Sequence, residues 1–89
     1  MSELKLLKAL SDETRLRILD FLRNGEKCVC EIIPFTGKSQ PTVSMHLRVL
    51  KEAGLLKERK EGNKVFYSVA DSGTFKLIEI ARKIGGGKN

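Results

Sequence analysis

No apolar run in this 89-residue sequence approaches the ~20 residues needed to cross a bilayer. The first residues, Met-Ser-Glu-Leu-Lys, carry an acid at Glu3 and no long apolar block, so they do not resemble a secretory signal. The expectation is a cytoplasmic chain with no membrane partner. Cysteine occurs only at Cys28 and Cys30, too few for a disulfide framework. In a reducing compartment such a close pair is a metal, redox or packing feature. Histidine occurs once, at His46, and no Ser-His-acid or paired-carboxylate arrangement accompanies it. The absence of Cys-x-x-Cys and of a βαβ pattern disfavours a thiol oxidoreductase. No enzyme activity is expected.

Acidic residues are the scarcer charge, 11 against 17 Lys and Arg, for a net charge of +6. That excess suits a polyanion such as nucleic acid, or an anionic membrane surface. The length allows one small domain and little room for a cleft between lobes. With 40% hydrophobic and 31% charged residues, the composition is ordinary for a globular protein and too apolar for wholesale disorder. Internal repeats are absent.

The periodicity predicts a first helix over 3–10, with Leu4 and Leu7 at helical spacing. Ser11 is expected to cap a second helix, with Asp12 and Glu13 at its positive end. Leu16, Ile18, Leu19 and Leu22 give that helix an apolar stripe, and Asn24-Gly25 stops it. Arg15, Arg17 and Arg23 read as solvated flanks. Residues 26–30 form an extended link in which Cys28-Val29-Cys30 has strand character. Residues 31–35 suggest a short helix limited by Pro34. After the turn Thr36-Gly37-Lys38, Ser39 caps a helix that ends at Gly54. Two β-prone runs, 55–60 and 64–69, flank Glu61-Gly62-Asn63 and signal a hairpin. Asp71 or Ser72 caps a last helix whose apolar side includes Phe75, Ile78 or Leu77, Ala81 or Ile80, and Ile84. The expected domain covers 1–84, followed by a flexible tail over 85–89.

A short helix, a glycine-containing turn and a capped helix make a helix-turn-helix, and the basic hairpin after it makes a wing. The fold class is therefore mainly α with a β-hairpin wing: a winged helix-turn-helix of five helices and a two- or three-stranded sheet. At ~100° per residue, Val43, Leu47 and Leu50 share the flank that anchors the helix, while Pro41, Ser44, Met45 and Arg48 lie roughly opposite. Ser39, Gln40 and Thr42 sit where free amides and the helix dipole attract phosphate. Gln can pair with adenine, Arg48 can take guanine or phosphate, and Met45 can touch a thymine methyl. In the wing, Arg59, Lys60, Asn63 and Lys64 are candidates for phosphate or minor-groove contact, against the alternative of a solvated charged turn.

Residues 7–19, Leu-Lys-Ala-Leu-Ser-Asp-Glu-Thr-Arg-Leu-Arg-Ile-Leu, resemble the opening of the ArsR/SmtB repressor family. So do 39–55, Ser-Gln-Pro-Thr-Val-Ser-Met-His-Leu-Arg-Val-Leu-Lys-Glu-Ala-Gly-Leu, and the wing from Arg59 to Tyr67. The resemblance spans nearly the whole chain. It implies a homodimeric repressor that binds a partly palindromic operator in double-stranded DNA and releases it to an inducer. It also implies a dimer interface on the first and last helices, here 3–10 and 74–84, with recognition helices about 34–36 Å apart. His46 matches the family pattern at the margin of the core stripe, either as a packing or phosphate-orienting residue or as a base reader. The bland alternative is a winged helix that binds protein.

Cys28-Val29-Cys30-Glu31 resembles the Cys-Val-Cys-Asp stretch of arsenite-sensing members. The resemblance implies capture of As(III) or Sb(III). Soft thiolates also suit zinc, cadmium or copper(I). No cofactor is required; such an ion would act as inducer at Cys28 and Cys30. Two sulfurs at i and i+2 share a side on extended chain and point apart on a helix. Where arsenite sensors often have a third cysteine, this chain has Ile33, and residues 1–10 offer no further thiol. A closed four-ligand zinc site is not supported. A thiol redox switch and buried structural cysteines are the other two readings.

Overall fold

The apolar stripes of the helices meet in one core. The computed structural model describes residues 2–86, arranged as α1 (Ser2–Leu10), α2 (Glu13–Phe21), β1 (Lys27–Cys28), α3 (Val29–Thr36), α4 (Gln40–Glu52), β2 (Leu56–Glu61), β3 (Lys64–Val69) and α5 (Gly73–Gly85). Ile18 and Leu19 of α2, Ile32 of α3, and Val43 and Leu50 of α4 are fully buried. Each such side chain contributes ~1.5–3 kcal/mol relative to leaving it exposed. Ala9 and Ile78 join α1 and α5 to the same cluster. The three strands are antiparallel in the order β1-β3-β2. This is the winged helix-turn-helix expected from the sequence, with five helices and a three-stranded sheet among the described residues.

Local chemistry moves several boundaries. Asp12, not Ser11, caps α2: its carboxylate accepts the Arg15 amide at 3.1 Å. Ser11 instead closes α1 by donating to the Lys8 carbonyl at 2.8 Å. The helix expected over 31–35 begins earlier, at Val29, because Cys28 is its N-cap. Strand structure is confined to Lys27 and Cys28, which pair with Tyr67 and Phe66. Pro34 lies inside α3 and does not stop it. The Cys30 carbonyl forgoes one helical partner, and the helix runs to Thr36, whose hydroxyl donates to the Ile33 carbonyl at 2.8 Å.

The hairpin turn is the two residues Gly62-Asn63. Gly62 has φ 62°, and no residue other than glycine among those described has positive φ. A single positive φ, at the first central position, is the type II′ pattern. At the last helix, Ser72 occupies the cap without a side-chain bond, while Asp71 accepts the Gly73 amide at 2.8 Å. That helix runs through Gly85, the first residue of the expected tail. Gly87, Lys88 and Asn89 of that tail lie outside the described residues.

Candidate nucleic-acid interface

Gly37, left-handed at φ 71°, ends α3 and turns the chain toward α4. Ser39 caps α4 from extended backbone, accepts the Thr42 amide at 3.4 Å and donates to Thr42 Oγ1 at 3.0 Å. Pro41 fits the first turn, where no amide hydrogen is needed. Val43, His46, Leu47 and Leu50 face the core. Gln40, Ser44, Met45 and Arg48 are exposed, and Thr42 is half-buried. The expected division of this helix into an anchoring flank and an open polar flank is present.

His46 lies on the anchoring flank. It is only 7% exposed, and its Nδ1 is 3.0 Å from Arg15 Nη1. A guanidinium can only donate, so Nδ1 accepts and the proton sits on Nε2. Arg15 also donates to the Ala9 carbonyl at 2.7 Å. One arginine therefore ties the end of α1 to α4, and His46 has a packing position, not a base-reading one. The three arginines expected as solvated flanks are all engaged. Arg17 lies 5.1 Å from the Phe35 ring centroid and donates to the Phe35 carbonyl, while Arg23 lies 4.5 Å over Phe75 and pairs with Asp20 at 2.8 Å.

The wing cations divide into two kinds. Arg59 is not at the tip. Its guanidinium makes a two-pronged bridge to Glu26 at 2.7 and 2.9 Å, reaches Glu61 at 2.8 Å, and lies 4.6 Å over Phe66. These hydrogen bonds push the Arg59 pKa further up, and the bond from Arg59 holds the Glu26 carboxyl below its usual range. Lys51 of α4 is likewise held by Glu58, which also accepts from Tyr67 at 3.2 Å. The Lys51 bond lowers the Glu58 carboxyl; burial, then the Glu58 charge, raises the Tyr67 phenol. Arg48, Lys60 and Lys64 have no acidic partner within 4.0 Å among the described residues. Those three remain available to phosphate, together with the exposed Asn63 at the turn.

Cys28 and Cys30 stand at the base of this surface. Cys28 is the extended cap of α3 and Cys30 is in its first turn, so the pair is neither both strand nor both helix. The geometry brings the sulfurs together, with the Cα atoms 5.0 Å apart and a disulfide between them. Cys28 Sγ accepts the Cys30 amide at 3.1 Å, and Glu31 accepts the Cys28 amide at 3.0 Å, completing a capping box. No group of three or more His, Cys, Asp or Glu side chains suited to a metal occurs among the described residues. Reduction of the disulfide would free two thiols as the donor set. That set fits a soft ion or a trivalent arsenical that bonds to two thiols, and it does not fit closed four-ligand zinc.

Residues 12–58 match the model for the arsR family of bacterial regulatory proteins. The chain is 44% identical over 81 residues to an uncharacterized HTH-type transcriptional regulator of Methanocaldococcus jannaschii, covering 90% of this chain and 91% of that one. It is 45% identical to a cadmium resistance transcriptional regulatory protein homologue of Staphylococcus aureus, covering 91% and 68%. It is 46% identical to an arsenical resistance operon repressor of Escherichia coli, covering 75% and 58%. Among solved structures, it is similar to the homodimeric winged helix-turn-helix DNA-binding domain of a possible ArsR-family regulator from Mycobacterium bovis. That likeness has a TM-score of 0.85 and 32% identity, covering 98% and 81%. The class defined by fold and sequence is a winged-helix transcriptional regulator. Within that class, this chain belongs to the arsR family.

Proposed function

We propose that this protein is a homodimeric, sequence-specific repressor that holds double-stranded operator DNA and releases it when a thiol-reactive inducer reaches Cys28 and Cys30. The observation that carries the reading is the open flank of α4 beside unpaired wing cations. Gln40, Ser44, Met45 and Arg48 are exposed while the opposite flank is buried. In this reading they meet base edges in the major groove, Ser39 and Thr42 orient phosphate at the helix start, and Lys60, Asn63 and Lys64 hold the flanking backbone. His46 and Arg59 serve as internal braces.

Dimerisation through α1 and α5 is supported by apolar side chains left in water: Leu7 at 53%, Leu77 at 38% and Ile80 at 55% exposure. An apolar hollow of about 430 Å³ lies between these helices, lined by Leu7, Leu10, Leu16, Leu77 and Ile78. Exposed apolar surface of this kind supports pairing with a second copy there. As(III), Sb(III), cadmium or a similar soft ion is the proposed inducer. The closeness of the two sulfurs, which become paired thiols on reduction, supports this, as do the cadmium and arsenical resistance names of the two relatives. A second reading is an oxidant-driven switch, favoured by the disulfide between the same sulfurs.

The test is selection of duplexes from a random library on reduced protein, then a mobility shift with the best duplex. Saturable, salt-dependent binding as a dimer is expected, released by arsenite, cadmium or oxidant and insensitive to them in Cys28→Ser/Cys30→Ser. Failure to enrich any duplex would refute the repressor reading.

A further inference from the structure

Arg15 joins three helices. It belongs to α2, and its Nε donates to the Ala9 carbonyl of α1 at 2.7 Å. That carbonyl lies in the last turn of α1, where helical amides no longer serve it, and Ala9 is only 1% exposed, so it needs a partner from within the protein. From the same guanidinium, Nη1 donates to His46 Nδ1 of α4 at 3.0 Å. The Asp12 carboxylate is 3.9 Å from that nitrogen and has no hydrogen to give, which leaves Nδ1 to Arg15. Among the described residues no hydrogen bond runs directly from α1 to α4; the polar link between them passes through this one side chain.

The rest of the grip on α4 from the core side is apolar, through Val43, Leu47 and Leu50. Apolar burial is non-directional, so it opposes a small roll or slide of the helix less sharply than a directional hydrogen bond does. His46 lies one turn after Thr42 and between Met45 and Arg48 of the open flank, so its ring is well placed to fix that flank. We infer that Arg15 is a positioning residue for operator reading: it registers α4 against α1, and through α1 against the second subunit, and so sets the half-site spacing that the dimer accepts. The inference rests on the proposed reader and dimer helices and adds what fixes one relative to the other. With the link intact in both subunits, the two readers stand at one separation and one angle, and only half-sites of matching spacing engage both. With the link cut, each reader still carries its polar flank, but the pair tolerates a wider range of spacings.

The experiment compares affinities for a library-selected duplex and for the same duplex with one base pair inserted at its centre, which moves one half-site by about 3.4 Å and about 34°. Full-length reduced protein is set against His46→Leu, which removes the acceptor on α4, and Arg15→Lys, which keeps a cation at the end of α1 but loses the fork. The wild-type protein should favour the uninserted duplex about a hundredfold, and both variants should narrow that ratio about tenfold. Both should remain dimers in sedimentation and bind random-sequence duplex as the wild type does. His46→Asn, whose amide oxygen can stand in for Nδ1, should return the ratio toward the wild-type value. A link that only stabilises the fold would show as a lower urea midpoint with an unchanged ratio. That result, or a wild-type protein indifferent to the insertion, overturns the inference and leaves the repressor reading intact. If His46→Leu does not fold, Arg15→Lys decides by the same ratio. Failure to enrich any duplex overturns the repressor reading and this inference with it.

Discussion

Replacing Lys64 with glutamine in both subunits removes two unpaired cations from the proposed DNA face. Lys64 is exposed next to the Gly62-Asn63 turn and has no acidic partner within 4.0 Å among the described residues. Each phosphate contact contributes about 0.9 to the slope of log affinity against log salt, so losing one per subunit should flatten it by about 1.8. Over a fourfold rise in salt, the wild-type protein should then lose about tenfold more affinity than Lys64→Gln. Arg59→Gln is the internal control. Arg59 is three residues from the turn and already bound to Glu26 and Glu61, so its loss should leave the slope unchanged. Fluorescence anisotropy with one selected duplex, titrated at several salt concentrations, reads both slopes. A flattening in Arg59→Gln equal to that in Lys64→Gln, or none in either, would refute the division of wing cations into free and engaged.

Ile32→Ala empties a fully buried site in α3 and should cost ~2–5 kcal/mol in urea denaturation; a loss below about 1 kcal/mol would contradict the packing described. Leu77→Glu with Ile80→Glu places charge on the exposed apolar side of α5, and sedimentation should then find monomer; a persisting dimer would move the interface elsewhere. Acid should destabilise the fold through Asp20. Partial burial pushes its carboxyl up, but hydrogen bonds from Arg82 and Arg23 outweigh this and hold it below its ordinary 3.8. The folded value is depressed, so the stabilisation is present above pH 3.8 and is lost as pH falls below it through the folded value. Asp20→Asn should remove that part of the acid sensitivity at a cost of no more than about 1 kcal/mol near neutrality, because the pair is partly exposed.

The elements with strong periodicity were legible in the sequence. Val43, Leu47 and Leu50 set the face of α4, and Lys64 to Val69 paired as a strand, because each pattern repeats long enough to fix its period. The start of α3 was not legible. A cysteine sulfur as N-cap is outside the usual Ser, Thr, Asp and Asn signals, and the β-prone Cys-Val-Cys triplet masked a helix start that Glu31 completes. Pro34 reads as a breaker by local rules, yet Ile32 packing fully into the core holds the helix through it.

The candidate interface divided along a similar line. Periodicity alone gave the open flank of α4. The states of His46 and Arg59 depend on partners 31 and 33 residues away, Arg15 and Glu26, and no local signal encodes such pairings. A bulky ring at the margin of an apolar stripe was the available hint for His46. For Arg59 the hint was an acid, Glu61, at alternate spacing on the same strand.

The most direct measurement is an amide chemical-shift titration of ¹⁵N-labelled, reduced protein with a library-selected duplex. The largest shifts should fall at Ser39 to Arg48 and at Lys60 to Lys64. Saturable duplex binding that leaves both segments unmoved, with the shifts gathered on α2 or α5, would contradict the assignment of α4 as the reader of DNA.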